Sequence, residues 1–216
     1  MTLDKSGKGL QDLRGMRRIS ARWMVLAAGL SVLATVGSAS ANNFYGATGL
    51  SGCNGNMQDN KDMTWFRTSG LTANMRTAVG TSLNNEVSPT AINLLSERVA
   101  ADAFTDVVYL EANYSSYCGQ TFHPAGSTVG YTSCNSLNGS RCERFDIRLD
   151  QSWDVSALAT QTKRQNLATH ETGHSLGLIH PTAGNGAPTG TVMADWTIFV
   201  AYSISHETDH LNANYP

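Results

Sequence analysis

The chain has 216 residues and a formal net charge of −2, with 41% hydrophobic and 15% charged residues and four cysteines. That length supports one domain with a real core, and no solenoid-length repeat, charge block or proline-rich linker divides it. Without a basic stripe, nucleic acid is not an expected partner.

The N-terminus reads as an address rather than as structure. Lys5, Lys8, Arg14, Arg17, Arg18 and Arg22 form a basic region, Met24 to Val36 an apolar one, and Ala39-Ser40-Ala41 a small-residue cleavage site. The apolar run, about 13 residues, is shorter than the roughly 20 a bilayer span needs. Residues 1–41 are therefore expected to be a cleaved signal peptide, with an uncleaved anchor as the alternative. Residues 42–216 are then a secreted domain, extracellular or periplasmic, with no stable membrane span. With the leader's six basic and two acidic residues set aside, nine Lys and Arg face fifteen Asp and Glu, a net of about −6. Cys53, Cys118, Cys134 and Cys142 all lie in this part, and an even count in an exported chain favours two disulfides. The turn-like stretch from Asn135 to Ser140 favours Cys134 with Cys142, which leaves Cys53 with Cys118. No short C-x2-4-C pair suggests a cysteine zinc site.

After a Gly/Asn-rich entry, Met63 to Arg67 predicts a short strand. Thr72 to Asn85 carries Met75, Val79 and Leu83 at helical spacing. Ala91 to Glu97 reads as a strand or a helical turn, and Asp106 to Ala112, rich in β-branched and aromatic residues, as a firmer strand. Asn113 to Arg141 reads as loop. Arg144 to Leu149 alternates polar and apolar, which predicts a strand with one wet face. A helix is expected from about Ala159 to Ser175, then a Gly/Pro/Thr-rich stretch and a short terminal helix around His206. This order suggests an α+β domain with a cleft where the long helix ends.

The chemistry concentrates in residues 170–180, HETGHSLGLIH. Four residues advance a helix by about 400°, so His170 and His174 leave one face a turn apart and can share an ion. Imidazole nitrogens suit zinc, and Glu171 between them suits a general base. On a straight helix His180 would lie about 15 Å along the axis from His170, too far to join them. Gly177 can end the helix in a left-handed conformation, and Pro181 helps forbid its resumption.

His170, Glu171, His174, Gly177 and His180 fill the pattern H-E-x-x-H-x-x-G-x-x-H, which resembles that of the metzincin zinc endopeptidases. The methionine turn of that clan is similar to Thr191-Val192-Met193-Ala194-Asp195, and the resemblance makes Met193 an apolar floor under the metal. Among metzincins the chain looks most like a short secreted matrixin-like protease, and its active-site helix is similar to that of serralysins. It departs from serralysins and astacins in carrying Asp195 where they place a tyrosine ligand, and it lacks the serralysin calcium repeats and a matrixin cysteine switch. The resemblance implies a zincin-like single domain. Its twisted, mostly parallel sheet with an antiparallel edge strand would pack on a long active-site helix. The cleft would lie between an upper part to about residue 177 and a small lower part, 178–216. It also implies one catalytic Zn2+, a monomer, and a peptide or protein substrate lying along the sheet edge, here expected to be the Arg144 to Leu149 strand. Trp196, Ile198, Phe199 and Tyr202 would line the pocket beside the metal.

Two further readings stand beside the endopeptidase. One is a secreted binding or adhesion module stapled by a structural zinc; the other is a hydrolase of non-peptide amides. His123 is expected to be structural. Asp59 with Asp62, and Asp146, Asp150 and Asp154, offer Ca2+ ligands without a calcium-loop spacing, so they are expected to be solvated. A second motif, His206-Glu207-Thr208-Asp209-His210, repeats the spacing of the first but has no third ligand after it. Ser205 as N-cap, Glu207 in the first turn and His210 near the last would explain those residues without a metal.

Overall fold

The computed structural model describes residues 44–181, 190–194, 202 and 206–216; the predicted leader lies outside them. In chain order the elements are β1 (Asp62–Arg67), α1 (Ala73–Ser82), β2 (Asn93–Glu97), β3 (Val107–Ala112), β4 (Ser116–Tyr117), β5 (Gln120–Thr121), β6 (Gly130–Asn138), β7 (Arg141–Asp150), α2 (Gln151–Asp154), α3 (Gln161–Ser175) and α4 (Glu207–Asn214). One sheet of five strands has the order β2-β1-β3-β7-β6, and β4 with β5 makes a separate two-stranded hairpin. The pairs β1–β2, β1–β3 and β3–β7 are parallel, whereas β6 runs antiparallel to β7. The chain is thus α+β with a mostly parallel sheet.

Helices α1 and α3 begin alike. Thr72 and Thr160 accept from the backbone N–H groups of Met75 and Lys163, which satisfies donors the helix itself leaves open. The helical pattern from Thr72 continues past α1 as one π-helical turn, Leu83–Val87, which keeps Leu83 and Val87 buried. Met75, Ala78 and Val79 of α1, Leu167 and Ala168 of α3, and Val107, Tyr109, Ile147 and Leu149 of the sheet share one apolar core. Two buried hydroxyl contacts lock it: Thr169 donates to Ser82 at 2.8 Å, and Tyr109 Oη meets Thr172 Oγ1 at 2.8 Å. α3 is thereby fixed against α1 on one side and against β3 on the other.

The structure corrects four sequence expectations. Residues 113–141 are not simply loop, because they contain the hairpin β4–β5 and the nine-residue edge strand β6. Arg144 to Leu149 lies inside β7, an interior strand between β3 and β6, so it is not the sheet edge. Its polar face is only partly open to solvent. Asp146 is 3.6 Å from both Arg144 and Arg148, and the Arg148 guanidinium sits 3.9 Å over the Tyr117 ring of the hairpin. Finally, Asp146, Asp150 and Asp154 are buried rather than solvated. Asp150 caps α2 through the Ser152 N–H, and Asp154 pairs with Arg164. Asn135 Nδ2 likewise donates to Asp146 Oδ2 at 2.8 Å, so structural partners account for the three carboxylates without an ion.

Both disulfides join the expected cysteines. Cys134–Cys142 bridges β6 to β7, and Cys53–Cys118 ties the entry segment to the β4–β5 connection. No described helix is long and apolar enough to cross a membrane.

Candidate metal centre

His170, Glu171 and His174 lie on the last turns of α3, which stops as the spacing requires. Gly177 has φ +93°, its N–H donates to His174 O at 3.1 Å, and the Leu178 N–H donates back to Gly173 O at 2.9 Å. This pair of bonds satisfies the end of the helix and reverses the chain. A β-carbon at Gly177 would meet Met57 and Phe44 at 2.9 Å, so packing as well as φ demands glycine. After the reversal, His180 returns beside the helix.

The three histidines converge. Nε2 of His170 lies 2.8 Å from that of His180 and 3.1 Å from that of His174, and the His174 to His180 distance is 3.2 Å. The other ring nitrogens explain the facing. His170 Nδ1 donates to Val192 O and His174 Nδ1 donates to Leu178 O, each at 2.8 Å. With the proton assigned to Nδ1 in His170 and His174, their Nε2 atoms carry lone pairs that face His180. Burial, and for His170 and His174 also the neighbouring rings, holds all three below the ordinary histidine range, His170 at about 4. Two such lone pairs and a third ring nitrogen, all within 3.2 Å of one another, make a donor group that a cation between them would satisfy. The donor set therefore fits a metal ion, and the three residues form a group that can hold one.

Glu171 points to the strand side of the helix. Thr132 Oγ1 of β6 lies 2.8 Å from Glu171 Oε2, and a β-carbon at Gly130 would stand 2.6 Å from Oε1. Burial pushes the Glu171 carboxyl up to about 7, against the lowering effect of the Thr132 hydrogen bond. Glu171 and the three histidines open onto one cleft of about 620 Å³, which β6 borders through Gly130, Tyr131 and Thr132.

β6 offers more than side chains at this cleft. Cys134 already exchanges backbone hydrogen bonds with Gly52 on its outer side, at 2.7 and 3.2 Å. By the two-residue alternation of a strand, Thr132 and Gly130 turn their N–H and C=O groups to that same outer edge, beside Glu171. Neither Thr132 nor Gly130 was singled out from the sequence. The only signal was the short β-prone run Val129-Gly130-Tyr131-Thr132, diluted by the polar residues around it.

The other predicted residues divide. Met193 is 1% exposed, and its sulfur packs where a Gly173 side chain would begin, so it lies against α3 between His170 and His174. Tyr202 is not a pocket wall: it is buried in the core and donates to Thr169 O at 2.7 Å, beneath the helix. Asp195, Trp196, Ile198 and Phe199 lie outside the described residues. His123 is structural, with Nδ1 3.1 Å from Ser152 Oγ.

The second motif does not join the first. His206 and His210 face each other with ring centroids 5.1 Å apart, but among the described residues no third ligand accompanies them. Its helix also begins later than expected. His206 itself takes the N-cap position without a side-chain cap bond, and Ser205 lies outside the described residues. His210 thus falls in the first turn, not the last, where the helix dipole does not favour a cation. No protein-family model matches this chain, and no curated protein matches it in sequence.

Proposed function

We propose that this protein is a secreted zinc-dependent endopeptidase of metzincin type, with His170, His174 and His180 as the metal ligands and Glu171 as general base. The observation that carries the reading is the convergence of three outward-facing Nε2 atoms beside a buried carboxylate, at the open edge of a strand. When bound, zinc supplies a Lewis acid and lowers the pKa of a coordinated water toward about 7. Met193 serves as the apolar floor.

The chain's own residues do the rest. An extended peptide adds to the outer edge of β6, where the backbone groups of Gly130 and Thr132 hold it in register. The Thr132 hydroxyl holds one oxygen of Glu171 and leaves the other free toward the cleft. Glu171 accepts a proton from water as the new C–O bond forms, then delivers it to the amine nitrogen as the C–N bond breaks. A carboxyl raised by burial is suited to both halves of that exchange. Two disulfides and the leader-like N-terminus support an exported location.

A peptide-library digest read by mass spectrometry, with and without chelator, tests the activity. Glu171→Ala is expected to retain zinc and lose nearly all cleavage, by on the order of 10²–10⁴-fold. Undiminished cleavage by that variant overturns the reading. Bound zinc with no cleavage by the wild type instead supports the adhesion-module alternative, in which chelation unfolds the chain.

A further inference from the structure

The HETDH motif on α4 closely repeats the first motif, yet it is built into the support of the first rather than into a site of its own. Glu207 is fully buried, and Thr191 Oγ1 donates to its Oε1 at 2.5 Å. Thr191 opens the tight turn that Ala194 closes, with Ala194 N–H donating to Thr191 O at 3.1 Å. The next carbonyl in that turn, Val192 O, is the one that accepts from His170 Nδ1. A short path thus runs from Glu207 through Thr191 and Val192 to a metal ligand.

The other end of the motif reaches a second ligand. The His210 ring stacks on Phe44, with centroids 6.0 Å apart and planes 18° from parallel. Phe44 pairs as an antiparallel bridge with Leu178, and the Tyr45 N–H donates to Gly177 O at 2.8 Å. Leu178 O is the acceptor for His174 Nδ1. Beyond α4, Tyr215 Oη donates to Leu176 O at 3.1 Å, which pins the end of α3 from the same side.

We infer that α4 is the positioning element of the metal centre: Glu207 and His210 act as positioning residues that hold the two carbonyls orienting His170 and His174. This rests on the metal reading of the three histidines. Outer partners of ligating histidines fix ring orientation, and their loss typically lowers metal affinity 10- to 100-fold. Fixing the carbonyls through a separate helix makes that affinity depend on residues remote in sequence.

The test is zinc affinity of the full mature chain, by competition with a chromophoric chelator, together with zinc stoichiometry. The wild type is expected to bind one zinc through the first motif, and His206→Ala with His210→Ala to leave that stoichiometry at one. Glu207→Ala and His210→Ala should each weaken binding, Glu207→Ala by about 10- to 100-fold, while Glu207→Gln, which keeps an acceptor for Thr191, recovers most of it. Should Glu207→Ala fail to fold, Thr191→Val removes the same hydrogen bond. The core truncation Val107→Ala lowers stability without touching this support, so its affinity should match the wild type. Affinity within twofold of wild type in folded Glu207→Ala or Thr191→Val overturns the inference, as does a second zinc lost with His206 and His210. Absence of zinc from the wild type overturns the metal reading itself, a result distinct from unchanged affinity in the variants.

Discussion

Thr132 Oγ1 stands 2.8 Å from Glu171 Oε2 and 2.8 Å from the Glu171 backbone carbonyl, so one hydroxyl on the edge strand lies within hydrogen-bond reach of both acceptors of the proposed base. Thr132→Val removes that restraint while leaving the histidines untouched. Its kcat should fall about tenfold with zinc content unchanged, and Thr132→Ser should restore most of it. Gly130→Ala acts on the other oxygen, because the added methyl would come within 2.6 Å of Oε1 and β6 is tied to β7. Steady-state kinetics beside metal analysis will show whether activity falls without loss of zinc.

Gly177→Ala is expected to damage the ligand set rather than the base. The residue sits at φ +93°, and its new methyl would overlap Met57 and Phe44. Strain of this kind costs on the order of 1–3 kcal/mol, and here relief requires moving the loop that returns His180. Calorimetry should show a lowered Tm, and chelator competition a weakened zinc site. Normal zinc affinity in this variant would mean that His180 is not held by the reversal.

A pH effect on stability should come from Glu111. Thr72 joins two carboxylates, its N–H donating to Glu111 at 2.6 Å and its hydroxyl to Asp154 at 2.6 Å. Burial first, and the nearby Asp154 carboxylate next, push Glu111 up to about 7. Its folded pKa therefore exceeds the unfolded one near 4.5, and the folded state holds the extra proton between those values. This contribution is fully present at acid pH and is lost as pH rises from about 4.5 through about 7. In Glu111→Gln the amide mimics the protonated acid, so urea unfolding at a series of pH values should show that part of the slope removed. An unchanged slope would assign the dependence elsewhere.

The two disulfides should contribute unequally. Cys53–Cys118 closes a separation of 65 residues and Cys134–Cys142 one of 8. Loop entropy then gives about 4 and about 2.5 kcal/mol respectively. Replacing each pair by alanine and measuring the urea midpoint checks the order; the shorter loop proving the more stabilising would contradict it.

The sequence alone determined the parts whose cause is local. The spacing of His170, Glu171 and His174 follows from helical periodicity, and the break at Gly177 from backbone sterics, so both were legible without coordinates. Helix α1 was readable from apolar spacing and β3 and β7 from β-branched and alternating runs, to within a few residues. Edge strand β6 was not, because its two faces are largely polar and its pairing partner, rather than its composition, makes it a strand. The sheet order then overturned the assignment of the substrate edge: no local feature of Arg144 to Leu149 reveals that a second strand lies outside it. The placing of Thr132 on Glu171 and of Glu207 on Thr191 also depended on the tertiary structure. Those contacts span 39 and 16 residues, and a hydroxyl meets a carboxylate over such separations only after the intervening chain has packed. His206-Glu207-Thr208-Asp209-His210 shows the division most clearly, since periodicity makes it resemble the first motif, while burial and the surrounding chain decide what each residue touches.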